Sequence, residues 1–176
     1  MTRGETVTAP PEDLPATEAF VGLGSNLASP DRQLASALES LAALPHTRLR
    51  EVSSFYRTAP VGYAGQPDFV NAVARIETAL SPRALLDALL VIERRHGRGR
   101  EMPNGPRTLD LDLLIYGDHR HHEDGLTVPH PRMHERAFVM VPLAEIAPER
   151  DVAGQGTARE LAESLARAQR VERIAR

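Results

Sequence analysis

Apolar positions along the chain recur with two different periods, and the switches between them divide it into elements. Glu18 to Gly24 (EAFVGLG) is a short apolar run that predicts a buried strand, with Ser25-Asn26 turning the chain after it. From there Leu34, Leu38, Leu41 and Leu44 fall on one helical stripe. Ser29-Pro30-Asp31 supplies a capping hydroxyl, a proline at the first helical position and an acid in the first turn, and Pro45 stops the helix. Residues 46 to 58 (HTRLREVSSFYRT), with Leu49, Val52, Phe55 and Tyr56, read as one strand, and 59 to 67 (APVGYAGQP) as a loop. In residues 68 to 78 the alternation is plain: Val70, Ala72, Ala74 and Ile76 share one face, Phe69, Asn71 and Val73 the other. Ser81-Pro82 repeats the capped-proline start, and Leu85, Leu86, Leu89 and Ile92 carry a second helix to Glu93, ending before Gly97.

A loop rich in glycine, proline and arginine (97 to 106) then leads into GPRTLDLDLLIYGD, residues 105 to 118. In an extended strand Asp110 and Asp112 point to one side while Leu109, Leu111 and Leu113 point to the other. Carboxylates at i and i+2 sit roughly 7 Å apart at their Cα atoms, which suits a shared pair of divalent ions roughly 3.5–4 Å apart. Magnesium is the ion expected there, and the planar fork of Arg107 suits phosphate oxygens. A bare DxD is more often the solvated face of a half-buried strand, so the pattern alone does not establish a metal site. The histidines of residues 119 to 125 (HRHHEDG) read as a solvated loop. Residues 126 to 131 (LTVPHP) form a short strand delivering His130, residues 132 to 147 hold Arg132, Arg136, Phe138 and an apolar run, and residues 157 to 170 form a last helix.

The order strand, helix, strand, strand, helix, strand predicts an α+β fold: a ferredoxin-like split βαβ antiparallel sheet with helices on one face, plus C-terminal additions. Phe69, Asn71, Asp110 and Asp112 would share the open face. The polar, proline-bearing residues 1 to 17 are expected to be a disordered extension, leaving 18 to 176 as a single domain.

Composition narrows the chemistry. All 21 basic residues are arginine, which excludes a P-loop or protein kinase, since both need a lysine. The net charge of −3 provides no broad basic field for nucleic acid or membrane. The chain has no cysteine, no apolar run long enough to span a bilayer and no secretory or transit signature, so a cytoplasmic protein is expected.

GLGSN at 22 to 26, SSFYRT at 53 to 58, QPDFVNAV at 66 to 73, GPRTLDLDLL at 105 to 114 and VPHPRMHERAF at 128 to 138 together resemble the 6-hydroxymethyl-7,8-dihydropterin pyrophosphokinases. The resemblance runs from about residue 18 to 150. It implies an enzyme of folate biosynthesis that transfers the β,γ-pyrophosphoryl group of ATP to the pterin hydroxymethyl group, releases AMP and uses two magnesium ions. Asp110 and Asp112 are implied as the ligands of both ions, with Arg98 and Arg107 as their catalytic companions. Arg98, Arg100, Arg107, Leu113, His130 and Arg136 are implied for ATP. For the pterin it implies a sandwich between Phe69 and Phe138, with Asn71 bonding the heterocycle and Thr58, Pro60 and Val61 adding contacts.

The loops 59 to 67 and 97 to 106 would close as lids over the site. Asn104 stands where some family members place tryptophan, and Pro131 where some place an aromatic. The partners expected are the two small-molecule substrates, with neither nucleic acid nor membrane, and the chain is expected to be a monomer. Two rivals remain at this level: another two-metal nucleotide enzyme on a similar scaffold, such as a nucleotidyltransferase or cyclase, and an RNA-binding module of the same topology. Few aromatics and a negative charge weigh against the second.

Overall fold

The computed structural model describes residues 16–27, 29–59, 65–97 and 109–174. In chain order the elements are β1 (Thr17–Ser25), α1 (Pro30–Ala42), β2 (Thr47–Val52), β3 (Tyr56–Thr58), β4 (Phe69–Thr78), α2 (Pro82–Arg95), β5 (Asp110–Tyr116), β6 (His121–Glu123), β7 (Leu126–Val128), α3 (Ala137–Ile146), α4 (Ala158–Ala166) and β8 (Val171–Arg173). The main sheet runs β5-β1-β4-β3-β8, with β2 pairing the far half of β4, and its pairings are antiparallel. Among the described residues no helix is long and apolar enough to cross a membrane.

The expected elements form for the expected reasons, with instructive exceptions. Ser81 caps α2 through its hydroxyl, which accepts the Ala84 N–H at 3.2 Å, and Thr157 does the same for Glu160 at the start of α4. Ser29 does not cap α1 with its side chain: its backbone is left-handed, φ 59°, and its carbonyl receives the Arg32 and Gln33 N–H groups instead. The single strand expected over 46 to 58 is broken at Ser53, whose hydroxyl accepts the Val73 N–H and whose own N–H bonds the Val73 carbonyl, so β2 and β3 meet β4 separately. The histidine loop contains β6, which pairs with β7 as a small hairpin.

The expectation of helices on one face is corrected. α1 and α2 bury Leu34, Leu41, Leu85 and Leu89 against the face carrying Val21, Leu23, Ala72, Ala74, Leu111 and Leu113. α3 and α4 pack on the opposite face, where Met140, Leu143 and Ala158 meet Phe20, Val73, Leu114 and Ile115. The apolar run of residues 137 to 146 has no polar stripe to mark it as a surface helix, which is why periodicity alone leaves it unassigned.

A slip in the β1–β5 pairing directs this second layer. Phe20 opposes Ile115 and Val21 opposes Leu113, leaving Leu114 as an extra residue. Such a bulge changes which face the following side chains take. Leu114 and Ile115 therefore both reach the α3 side, while Tyr116 joins the opposite core.

α3 thus covers the part of the sheet where β1 presents Phe20, and it stops short of the part where β1 presents Gly22 and Gly24. That uncovered part is the concave surface described below. Met140 is fully buried between α3 and the sheet, so Met140→Ala is expected to lower the unfolding free energy by about 2–5 kcal/mol in urea titration. A change below about 0.5 kcal/mol, the size of an ordinary surface substitution, would show that α3 does not pack there.

Candidate active site

Two rows of side chains cross the uncovered part of the sheet. In the first, Asp110 lies opposite Gly24, which lies opposite Asn71, which lies opposite Tyr56; in the second, Asp112 lies opposite Gly22 and Gly22 opposite Val73. Cross-strand partners share a face, so the nearest neighbours of both carboxylates on β1 are glycines without side chains. Space beside the carboxylates is therefore built into the register. Gly24 has a second role: a Cβ there would stand 2.8 Å from the Asn71 Oδ1, closer than real contacts allow.

The rows floor a cavity of about 690 Å³ whose walls include Thr58, Phe69, His130, Arg136 and Phe138. That is the size range of ordinary small-molecule sites. Asn71 is buried and its amide donates to the Thr58 hydroxyl at 2.7 Å, which fixes the amide's orientation and leaves the Oδ1 on the Gly24 side. Phe69 and Phe138 are both half-buried, one on the sheet and one at the start of α3. The Arg136 guanidinium lies 5.5 Å from the Phe138 ring centre, within cation–π range.

His130 is held from both sides. Its N–H bonds the Leu114 carbonyl at 2.8 Å, anchoring the loop to the bulge, and its Nδ1 accepts the Arg132 N–H at 3.2 Å. An Nδ1 that accepts puts the ring proton of the neutral form on Nε2. Burial pushes the imidazole below the usual histidine range, with the Arg136 charge adding to that and Asp110 opposing it. The ring is thus neutral at neutral pH and offers one N–H donor from Nε2.

A smaller cavity of about 390 Å³ adjoins the first around the edge of β5, lined by Leu86, Leu113, Thr127 and Gly125 and sharing Asp112 and His130 with it. This is where Leu113 sits: on the face opposite the aspartates, in the α1–α2 core, with one side on this second hollow. Of the other residues the sequence singles out, Thr58, Phe69, Asn71, Asp110, Asp112, His130, Arg136 and Phe138 surround the cavity of about 690 Å³. Pro60, Val61, Arg98, Arg100 and Arg107, and most of the two expected lids, lie outside the described residues.

Several residues that structure the site are given no role in it by the sequence. Glu93 is 2% exposed and accepts the Leu111 N–H, between the two aspartates, at 3.0 Å. Asn26 donates to Gln66 at 2.9 Å and to the Pro67 carbonyl at 3.0 Å, joining the end of β1 to the approach of β4. Tyr56 donates to Glu145 of α3 at 2.5 Å, and the Ser54 N–H reaches the other oxygen of the same carboxylate at 2.6 Å. Burial alone would raise the Glu145 carboxyl, but those two donors hold it below the usual range, while burial and Glu145 push the Tyr56 phenol up. Gln169, from the turn between α4 and β8, also lines the large cavity. Only a partner some distance away in sequence reveals any of these roles.

Among the described residues, no three histidine, aspartate or glutamate side chains are gathered as a metal cage. A pair of carboxylates beside open space instead fits magnesium, which commonly takes one or two carboxylates and fills its other positions with water and substrate phosphate oxygens.

Known proteins resemble this chain in sequence and in fold. The family model for 7,8-dihydro-6-hydroxymethylpterin-pyrophosphokinase (HPPK) matches residues 20–148. The chain is 53% identical over 129 residues to the 2-amino-4-hydroxy-6-hydroxymethyldihydropteridine pyrophosphokinase of Haemophilus influenzae, covering 73% of this chain and 81% of that one. It is 51% identical over 130 residues to the protein of the same name from Pseudomonas aeruginosa, covering 74% and 80%. The solved structure of wild-type Plasmodium falciparum HPPK-DHPS with pterin and p-hydroxybenzoate shares the fold, with a TM-score of 0.67 at 15% identity. That likeness covers 88% of this chain and 44% of the Plasmodium chain. The extent of the family match and the identity to the bacterial enzymes settle the assignment: this chain belongs to the 7,8-dihydro-6-hydroxymethylpterin-pyrophosphokinase family.

Proposed function

We propose that this chain transfers the pyrophosphoryl group of ATP to 6-hydroxymethyl-7,8-dihydropterin in folate biosynthesis, giving the pterin diphosphate and AMP. The observation that carries the reading is that Asp110 and Asp112 open into the same cavity as the slot formed by Phe69, Asn71 and Phe138. A flat heterocycle and a phosphate chain can therefore meet there.

The pterin stacks between Phe69 and Phe138, whose faces suit a planar bicycle. Asn71, oriented by Thr58, turns its Oδ1 to the donors on the ring edge. Asp110 and Asp112 would hold two magnesium ions, and the bound ions would neutralise phosphate charge and align the reacting oxygens. His130, neutral and protonated on Nε2, donates to a phosphate oxygen, and Arg136 adds a cation on the same side. Arg98, Arg100 and Arg107 complete the triphosphate contacts in this reading, and Pro60 and Val61 the pterin contacts. The nucleotide base occupies the smaller cavity against Leu113, which puts the phosphates at the junction that Asp112 and His130 share.

In the step itself the pterin hydroxymethyl oxygen bonds the β-phosphorus. The bond from that phosphorus to the α,β-bridging oxygen breaks, AMP leaves with the electron pair, and the hydroxyl proton passes to water. Catalysis rests on positioning and charge stabilisation.

We also infer a ferredoxin-like split βαβ scaffold, supported by the order β5-β1-β4 followed by β2 and β3 on the far side of β4. Residues 18 to 176 form one domain, acting as a cytoplasmic monomer.

The first test is chromatography of nucleotide products from ATP, magnesium and the hydroxymethyl pterin. AMP appearing only with all three is the expected result, whereas ADP or pyrophosphate as the product would overturn the assignment. Asp110→Asn and Asp112→Asn are each expected to reduce turnover by at least about a hundredfold, the scale of losing one charge-stabilising group, with an unchanged circular dichroism spectrum. Full activity in either variant would remove that residue from the metal site.

Gly24→Ala places a methyl against Asn71 and is expected to raise the KM for the pterin far more than that for ATP. Equal changes in both constants would contradict the placement of Asn71. For His130, a proton NMR titration of the free protein should give a midpoint below the ordinary value of about 6.5, as burial and Arg136 disfavour the cation. A midpoint at or above that value would rule out the neutral-donor role. Because the folded value is the lower one, the His130 contribution to stability is lost as pH falls through the ordinary range.

A further inference from the structure

The family match ends at residue 148, and the chain beyond it forms α4 and β8. This tail returns to the cavity. β8 pairs with β3, Val171 opposite Thr58, and Gln169, two residues before β8, lines the cavity beside Arg136 and Phe138.

The Gln169 side chain grips one short piece of backbone with both ends of its amide. Its Oε1 accepts the Ala137 N–H at 2.9 Å, and its Nε2 donates to the Glu135 carbonyl at 3.0 Å. The two bonds straddle Arg136. Ala137 opens α3, and its N–H belongs to the first turn, where no carbonyl within the helix can meet it. Arg136, at the capping position, makes no side-chain cap. Gln169 therefore supplies from 32 residues away what a capping side chain supplies locally.

What it holds is the segment that carries both Arg136 and Phe138, whose side chains already lie against each other. Rotation of the peptide between residues 136 and 137 would swing the Phe138 ring and the Arg136 guanidinium together. The Gln169 bonds oppose that rotation from both sides. α3 is then fixed at its start by Gln169 and near its end by the Glu145 bonds to Tyr56 and Ser54.

We propose that Gln169 is a positioning residue for the pterin slot, which makes the tail outside the family match a working part of the site. The inference rests on the reading of Phe138 as one wall of that slot. Gln169 acts through Phe138 and Arg136.

The test is steady-state kinetics in both substrates, with thermal unfolding in parallel, on Gln169→Met, Gln169→Glu, Phe138→Ala and Arg170→Ala. Gln169→Met keeps the length and removes both hydrogen bonds. It is expected to raise the KM for the pterin about three- to tenfold, the scale of one or two ordinary hydrogen bonds, with little change in unfolding temperature. Gln169→Glu keeps the acceptor for Ala137 and should recover part of the loss. Arg170→Ala, whose side chain pairs with Glu172 inside the tail, should behave as the parent. A parental pterin KM in Gln169→Met, while Phe138→Ala raises it, overturns the inference alone. A parental pterin KM in Phe138→Ala overturns the sandwich reading and the inference with it. A Gln169→Met that loses activity only in proportion to lost folded protein also overturns it. Should that variant not fold, Gln169→Ala, which also removes both hydrogen bonds, carries the same comparison, and a parental pterin KM there is equally fatal.

Discussion

A carboxylate buried beneath the sheet edge controls the geometry of the site. Glu93, at the end of α2, accepts the Leu111 N–H on the open side of β5, the last strand of the sheet. Leu111 is the residue between the two aspartates, so this bond sets the path of the backbone from which both project. Burying a carboxylate is costly unless donors compensate it, and a backbone N–H facing no strand partner must also find an acceptor. Each need answers the other. The helix that supplies Glu93 is held in turn by Leu85, Leu89 and Ile92 in the core, so hydrophobic packing on one face fixes carboxylate positions on the other.

Which part of the sheet remains open follows from residue size along one strand. On the α3 side β1 presents Phe20, then Gly22, then Gly24. A helix packs where side chains fill the space beneath it, and α3 covers Phe20 together with Val73, Leu114 and Ile115. Beyond them the glycines leave a hollow, and the polar residues Asn71, Asp110 and Asp112 find themselves at its floor. The bulge at Leu114 helps, since it delivers two consecutive apolar side chains to α3 and ends the acidic alternation sharply.

The sequence is legible where local physics decides. The alternation in 68 to 78 and 109 to 113 assigns faces correctly, because a residue's side in a strand depends on its position alone. The stripe on α1 and the capped start of α2 are equally local. What escapes is whatever depends on a partner far along the chain. Nothing around Ser53 announces that its hydroxyl would bond Val73 and split a strand. The run from 137 to 146 lacks amphipathic contrast because α4 and the sheet cover it from two sides. Leu113 illustrates a subtler difficulty: its alternation assigns it to the core, where it does lie, yet the edge of β5 is narrow enough for the same side chain to border a second hollow.

The two aromatic walls of the large cavity belong to different layers, Phe69 to the sheet and Phe138 to a helix laid upon it. Apolar packing between such layers is non-directional, whereas the stacking slot proposed for the pterin needs a fixed width. Directional bonds resolve the conflict. The Tyr56 hydroxyl and the Ser54 N–H both meet the ionised Glu145, and hydrogen bonds to a charged group are shorter and more directional than neutral ones, even where solvent reaches the carboxylate. Because Glu145 is held below, and Tyr56 above, their ordinary ranges, neither partner changes charge near neutral pH. Phe138 and Glu145 are seven residues apart on α3, two helical turns along the same side, so a bond at one end sets the height of the ring at the other. Core packing brings the layers together, and a few polar contacts at their margin set the spacing between Phe69 and Phe138.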